Sequence, residues 1–418
     1  MSGELLAEVW LGQRRVGALL DQAGRRIFEY DPDWRRTGFS IAPLHLPLRG
    51  GTFEFPALLR SETFQGLPGG IADSLPDRFG NAVIDAYYLQ RGIRVGDVSP
   101  VEKLLYIGDR AMGALCYRPA RDAVPRRGRR PLELRRLVDQ ARRVINGDLE
   151  AEMPEIMAVA SSAGGMRAKA LVWWNPASNA VHAYGADAPD GSEPWLLKFD
   201  TDREGRPTPY GRLEYAYALM AGAAGIDIAP CRLIGERDRA HFATRRFDID
   251  ATGRRLHRIS LCGLMHADFN LPGAGWSYDL LMRALRLLAA PLDRRPQLFR
   301  RIAFNIVARN QDDHTKNHEF LCDPDTGHWD IAPAFDLTYA HGEGWTREHQ
   351  MWLQGKADGF TRQDLLDFAR THGVEDGASI LDEVVAAVAG FPRFAKDAGL
   401  AADTVAMVAA EHRLGLGR

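Results

Sequence analysis

Over residues 1–60 apolar and polar positions alternate in short segments separated by turn residues. Leu5–Leu11, Arg15–Leu20 and Arg26–Tyr30 keep a period of two, with a turn at Asp21–Gly24, which predicts a small antiparallel sheet. The period changes after Gly66. From about Pro76 to Gln90 the apolar residues Phe79, Val83, Ile84, Ala86 and Tyr87 fall at helical spacing. Leu104–Tyr117, with Gly108 and Gly113, reads as strand–turn–strand, a plain hairpin whose glycines match no phosphate-binding fingerprint. Ala170–Trp174 and Trp195–Asp200 are short apolar strands, Gly211–Ala224 is helical, and Cys231–Gly235 and His241–Asp248 are two strands joined by a turn. The chain then turns mostly helical: Ser277–Ala289, Pro296–Arg309, Arg362–Thr371 between the cap Thr361 and the stop Gly373, Ser379–Ala389 and Ala402–His412. This order predicts an α+β chain, with a β-rich segment over 1–120, a basic linker and helix over 121–150, a mixed lobe over 151–248 and a helical lobe over 249–418.

Composition narrows the class. A chain of 418 residues, 45% hydrophobic and 26% charged, is long enough for two or more domains with sizeable cores. Its net charge of −2 leaves no overall nucleic-acid footprint. Locally, Arg126, Arg127, Arg129, Arg130, Arg135, Arg136, Arg142 and Arg143 crowd Pro125–Arg143, either as a solvated linker and helix face or as a contact for nucleic acid or an acidic partner. Cys116, Cys231, Cys262 and Cys322 form no C-x-x-C pair, and no signal peptide or apolar run of membrane length is visible. The expectation is a cytoplasmic protein with reduced thiols. Of the 53 basic residues only Lys103, Lys169, Lys198, Lys316, Lys356 and Lys396 are lysines, so each is worth weighing.

The chemistry concentrates in Phe304–Tyr339. A helical run stops at Asn310, a polar loop covers Gln311–His318, His318–Cys322 and His328–Ile331 form a hairpin about the turn Asp323–Gly327, and Asp336 follows. In protein kinases an Asp accepts the substrate hydroxyl proton, an Asn five positions on holds Mg²⁺, and a later Asp holds it again. Asp312 and Asn317 have that spacing, and Asp336 lies on the far side of the hairpin. Two hard oxygen ligands suit Mg²⁺, which keeps its waters and takes phosphate oxygens. Upstream, the small-residue loop Ser161–Gly165 precedes Arg167 and Lys169, a place where backbone N–H groups can approach phosphate. Lys198, on an apolar strand, needs an anion, and Glu214 on the next helix could orient it. A metal-dependent hydrolase using Asp312, His314, His318 and Asp330 is the rival reading. A non-catalytic binding module is another.

Taken together, SSAGGMRAKALVWW, WLLKFD, RRFD, LHRISLCGLMHADF, FNIVARNQDDHTKNHEFL and DIAPAFDLTY resemble, in order and spacing, the HipA family of bacterial serine/threonine kinases, the toxins of HipBA-type toxin–antitoxin modules. LPDRFGNAVIDAYYLQRG and IGDRAMGALCY are similar to that family's N-terminal subdomain, so the likeness runs from about residue 5 to about 370. The resemblance implies a bilobal, kinase-like fold that uses ATP and Mg²⁺. It implies Asp312 as catalytic base, Asn317 and Asp336 as Mg²⁺ ligands, and Lys198 on the ATP phosphates. Gly164, Gly165 and Lys169 would belong to the loop over the nucleotide, His314 to the catalytic loop and Phe247 to the adenine hinge. Ser162 matches a loop serine that some members autophosphorylate. It also implies a HipB-like helix-turn-helix antitoxin as partner, DNA reached only through that antitoxin, and a protein substrate such as an aminoacyl-tRNA synthetase. The hinge Thr244–Asp248, with Arg245 where the best-known members are acidic, the loop Met166–Ala168 and the long Gly263–Pro272 segment depart from the family pattern.

Overall fold

The computed structural model describes residues 4–36, 39–119, 131–148, 154–159, 167–185, 188–200, 202–203, 206–207, 209–236, 239–271 and 275–417. They fall into two compact units. The first comprises Met1–Thr208, Ile234–Ile259 and Cys322–Gly327, the second Pro209–Leu233, Ser260–Leu321 and His328–Arg418.

In the first unit the N-terminal alternation becomes a five-stranded sheet in the order Thr52–Glu54, Arg25–Tyr30, Arg14–Gln22, Leu5–Leu11, Leu115–Arg118. All its pairings are antiparallel. Ala7, Val9 and Leu11 point to one buried face with Val16, Leu19, Phe28 and Tyr30. Gly17 is needed there, because a Cβ would lie 2.2 Å from the Glu29 carbonyl oxygen of the neighbouring strand. The helix Arg78–Leu89 starts where Asp77 accepts the Gly80 N–H at 2.6 Å, and it buries Phe79, Val83, Ile84, Ala86 and Tyr87.

The expected hairpin over 104–117 is only half there. Pro100–Ile107 is a helix, Gly108 ends it at φ 60°, and only Leu115–Arg118 is a strand. The signal was present in Ser99-Pro100-Val101-Glu102: Ser99 accepts the Glu102 N–H at 3.2 Å, and proline occupies the first helical position. A short apolar run such as Leu104–Ile107 has no period of its own, so the cap decides it.

A second sheet follows in the order Cys231–Glu236, Arg239–Arg245, Glu193–Lys198, Lys169–Trp174, Val181–Ala183. Its apolar face, with Ala170, Val172, Trp195, Leu197 and Ala243, packs on residues of Arg78–Leu89 and of the charged helix Leu134–Ile145. Trp174 and Trp195 meet edge to face at 5.1 Å.

The second unit is mainly helical. Tyr210–Ala223, Tyr278–Leu287, Arg295–Val307, Arg362–Thr371, Gly377–Ala389 and Ala402–Glu411 are its longer helices. Thr361 and Asp364 form a reciprocal capping box at the start of Arg362–Thr371. Leu298, Phe299, Ile302, Phe304 and Ile306 of Arg295–Val307 are buried. The strands Glu319–Cys322 and Trp329–Ile331 are neighbours in a small sheet. Among the described residues no helix is long and apolar enough to cross a membrane.

Candidate active site

Two tethers position the polar loop after Arg295–Val307. Arg309 takes a positive φ of 57°, and the chain then zips against a later segment: Gln311 N–H donates to Ala340 O at 2.9 Å and Ala340 N–H to Arg309 O at 3.0 Å. The stretch carrying Asp312 and the stretch carrying Asp336 therefore leave one parallel bridge side by side. The second tether is Asp313, which is fully buried. It accepts from the Tyr278 hydroxyl, from His349 Nδ1 at 2.7 Å and from the Gln350 N–H at 2.8 Å. Burial pushes this carboxyl up, but the His349 ring, the Tyr278 hydroxyl and the Gln350 N–H outweigh it and hold Asp313 below the usual carboxylate range. Behind it, Asn310 Nδ2 donates to Asn305 Oδ1 at 2.9 Å and Asn305 Nδ2 to the Tyr278 oxygen at 3.3 Å.

With Asp313 rooted, Asp312 is left at the surface of the unit, its side chain 45% exposed. Oδ1 accepts from Trp345 Nε1 at 2.7 Å and lies 3.8 Å from His314 Nε2. The surrounding protein raises its pKa by partial burial; His314 and the Trp345 N–H oppose this, and the negative charges of Asp336 and Asp313 add to it. Asn317 Nδ2 donates to the Asp312 backbone carbonyl at 2.8 Å, which leaves the Asn317 Oδ1 as an oxygen donor. Asp336 sits at φ 56°, a left-handed conformation that Asp tolerates better than most side chains. Asp312, His314, Asn317 and Asp336 all belong to this second unit. An amide oxygen and a carboxylate, beside a second carboxylate that feels the Asp336 charge, form a hard-oxygen set of a kind that fits Mg²⁺.

The hydrolase alternative finds no cluster. Asp330 is held by Arg294 at 2.7 and 2.8 Å. His318 is buried and pushed down to about 4, hence neutral. The two histidines are not on one helix, since Thr315–Asn317 is a single short turn running into a strand. Among the described residues no group of three or more His, Cys, Asp or Glu side chains is placed to hold a metal ion.

Other candidates lie in the first unit. Lys198 ends the strand Glu193–Lys198, is buried, and has its Nζ 5.8 Å from the Phe242 ring centre. Lys169 begins its own strand directly opposite Lys198, so two buried lysines face each other across adjacent strands. Lys169 Nζ is 3.0 Å from Asp77 Oδ2, which offsets the like-charge repulsion. Glu214 is buried in Tyr210–Ala223 of the second unit, whereas Lys198 belongs to the first. Phe247 packs against the cluster of Met112, Leu171 and Leu196 together with Tyr184. Its flanks are locked: Arg246 and Asp248 form a buried bidentate pair at 2.9 and 2.5 Å, and the Gly113 N–H donates to Asp248 at 2.6 Å. Burial opposes the Asp248 charge, but Arg246 and that N–H hold its pKa at about 2. Gly113 thus has a reason: its φ is 79°, and a Cβ would lie 2.4 Å from the Arg258 side chain. Ser162, Gly164 and Gly165 lie outside the described residues, as do Arg126, Arg127, Arg129 and Arg130.

Tyr278, Trp345, His349 and Asp77 were not anticipated as supports. Each reaches its partner from a distant point in the chain, with no local pattern to mark it.

Residues 7–118 match the family of the HipA N-terminal domain and residues 161–390 that of the HipA-like C-terminal domain. A search of curated proteins found no match. Among solved structures, the chain is similar to a chain of the Shewanella oneidensis MR-1 toxin–antitoxin complex of HipA, HipB and operator DNA. The TM-score is 0.68 at 19% identity, covering 98% of this chain and 96% of that one, a likeness that establishes the fold. Helicobacter pylori proinflammatory kinase CtkA aligns at 12% identity over 56% of this chain and 91% of that one, with a TM-score of 0.35 that carries no argument. With the C-terminal match alone covering more than half of the 418 residues, the chain belongs to the HipA family.

Proposed function

We propose that this protein is a Mg-ATP-dependent serine/threonine protein kinase, the toxin of a HipBA-like toxin–antitoxin module. The observation that carries the reading is the Asp312 constellation: a half-exposed carboxylate held by Trp345, its backbone carbonyl tied to Asn317, and Asp336 near enough to raise its pKa. Asp312 accepts the hydrogen bond of the incoming hydroxyl and orients its oxygen toward the phosphoryl group. The loose transition state asks mainly for positioning. Its raised pKa improves it as a late proton acceptor. Asn317 and Asp336 would hold Mg²⁺, which supplies charge neutralisation on the phosphates when bound. Lys198 is assigned to the same phosphates, Phe247 to the adenine, and Gly164, Gly165, Lys169 and His314 to the walls of the nucleotide site.

A HipB-like helix-turn-helix antitoxin is the expected partner, with DNA reached only through it; the similar Shewanella structure is a complex of HipA, HipB and operator DNA. An aminoacyl-tRNA synthetase is the expected class of target. Labelled ATP and Mg²⁺ added to the full chain in a bacterial lysate should phosphorylate a discrete protein on Ser or Thr, and Asp312→Asn should reduce transfer at least a hundredfold. An Asp312→Asn protein with full transfer would overturn the assignment.

A further inference from the structure

Beside the Asp312 loop, within the second unit, lies a cavity of about 40 Å³ whose lining includes Phe269, Trp276, His314, Glu348, His349 and Trp352. Of this lining the proposed phosphoryl transfer uses His314 alone. Its polar groups are mostly fixed as acceptors. His349 is 1% exposed and meets the Asp313 carboxylate through Nδ1, and its Nε2 has no hydrogen-bond partner among the described residues. Gln350, also in the lining, spends its NH₂ on the carbonyls of Trp345 and Glu348, which turns its Oε1 into the remaining acceptor. Glu348 is exposed and adds a carboxylate. Thr315 donates its hydroxyl to Ala267 O at 2.7 Å and Trp276 its indole N–H to Asp268 O at 2.8 Å, so neither donor is left for a ligand. The aromatic walls suit a cation: Lys316 Nζ already lies 5.8 Å from the centre of Phe269, leaving Trp276 and Trp352 for another.

Acceptors, π faces and a carboxylate complement a slim side chain tipped with positively charged donors. We propose that this cavity takes the ammonium or guanidinium tip of a lysine or arginine of the protein substrate, selecting acceptor hydroxyls that have a basic neighbour. The inference rests on the kinase reading for its purpose. The volume is about three times the ~10–15 Å³ that one water needs, enough for a charged tip and its last methylene. His314 lines the cavity while standing 3.8 Å from Asp312 Oδ1, so pocket and base are one side chain apart. That separation matches one or two extended residues at about 3.3 Å each.

The test needs no turnover. The full chain, labelled with ¹⁵N at tryptophan, is titrated with capped tetrapeptides that carry serine next to lysine or arginine, and with the same peptides bearing acetyl-lysine or citrulline. The basic peptides should shift the Trp276 and Trp352 indole resonances at least fivefold more strongly than the neutral ones. Glu348→Gln, a change at an exposed residue that folding tolerates, should weaken the basic peptides about three- to fivefold, the range of a rim ion pair. His349→Gln should abolish the discrimination. Equal response to neutral and basic peptides, or no response from either indole, overturns the inference. If wild-type protein still phosphorylates a lysate target in that case, the inference alone has failed. If it binds basic peptides but transfers no phosphate, the kinase reading falls and takes the pocket's purpose with it.

Discussion

Asp313→Asn isolates what roots the catalytic loop. The wild-type carboxylate is completely buried and accepts three hydrogen bonds, from Tyr278, His349 and the Gln350 N–H. Asparagine keeps one oxygen and turns its NH₂ toward at least one of those donors. Losing about two charge-assisted bonds at ~1.5–3 kcal/mol each, partly recovered by relaxation, gives an expected loss of about 3–5 kcal/mol. For a unit of this size that corresponds to roughly 6–20 °C in Tm. Urea denaturation of the full chain, followed by tryptophan fluorescence, reads it directly, because Trp276, Trp345 and Trp352 all lie in the same unit. The pH dependence gives an independent check. The folded pKa of Asp313 is depressed, so its stabilisation is present above the unfolded value of about 3.9 and is lost as pH falls toward the folded value. The gap between wild type and Asp313→Asn should therefore be flat from pH 7 to 5 and close below pH 4. A variant within about 0.5 kcal/mol of wild type, or a gap unchanged at pH 3.5, would show that Asp313 is not an ionised anchor.

Other outcomes follow from the same geometry. Asn317→Ala should raise the Mg²⁺ concentration needed for half-maximal transfer at least tenfold while changing thermal stability little; an unchanged Mg²⁺ requirement in a transfer assay removes Asn317 from the ligand set. Asp77→Asn leaves Lys169 buried and facing Lys198 without its carboxylate, and should cost about 3–5 kcal/mol in denaturant. The second change Lys169→Met should recover much of that loss, and no recovery would refute the pairing. Ser162→Ala should abolish self-phosphorylation, read by mass spectrometry, while nucleotide affinity is kept; phosphate still on the loop of the variant would exclude Ser162 as acceptor.

What could be read along the chain was whatever acts locally. Thr361 three residues before an acidic residue announced its helix, and the alternation of Ala7, Val9 and Leu11 announced its strand. The five-residue step from Asp312 to Asn317 was visible too, and its physical content is one short hydrogen bond to the Asp312 carbonyl. The supports were not legible. His349 reaches Asp313 and Trp345 reaches Asp312 across more than thirty residues, and Asp77 reaches Lys169 across more than ninety. No spacing rule encodes such pairings, because the fold brings them together after the local elements form. Lys198 stood out for the scarcity of lysine, but the lysine opposite it needed the strand register, and the Asp77 carboxylate beside that lysine needed the fold.

The parallel bridge between Asn310 and Ala340 also bears on how such proteins are found. Because that bridge fixes where both acidic stretches set out, the turn Asp323–Gly327 between them is where a change of length should disturb the carboxylates least. A motif search that demands a fixed gap from Asp312 to Asp336 will therefore pass over relatives with a larger insertion. One that asks for two short anchors, with any number of residues between them, will recover those relatives.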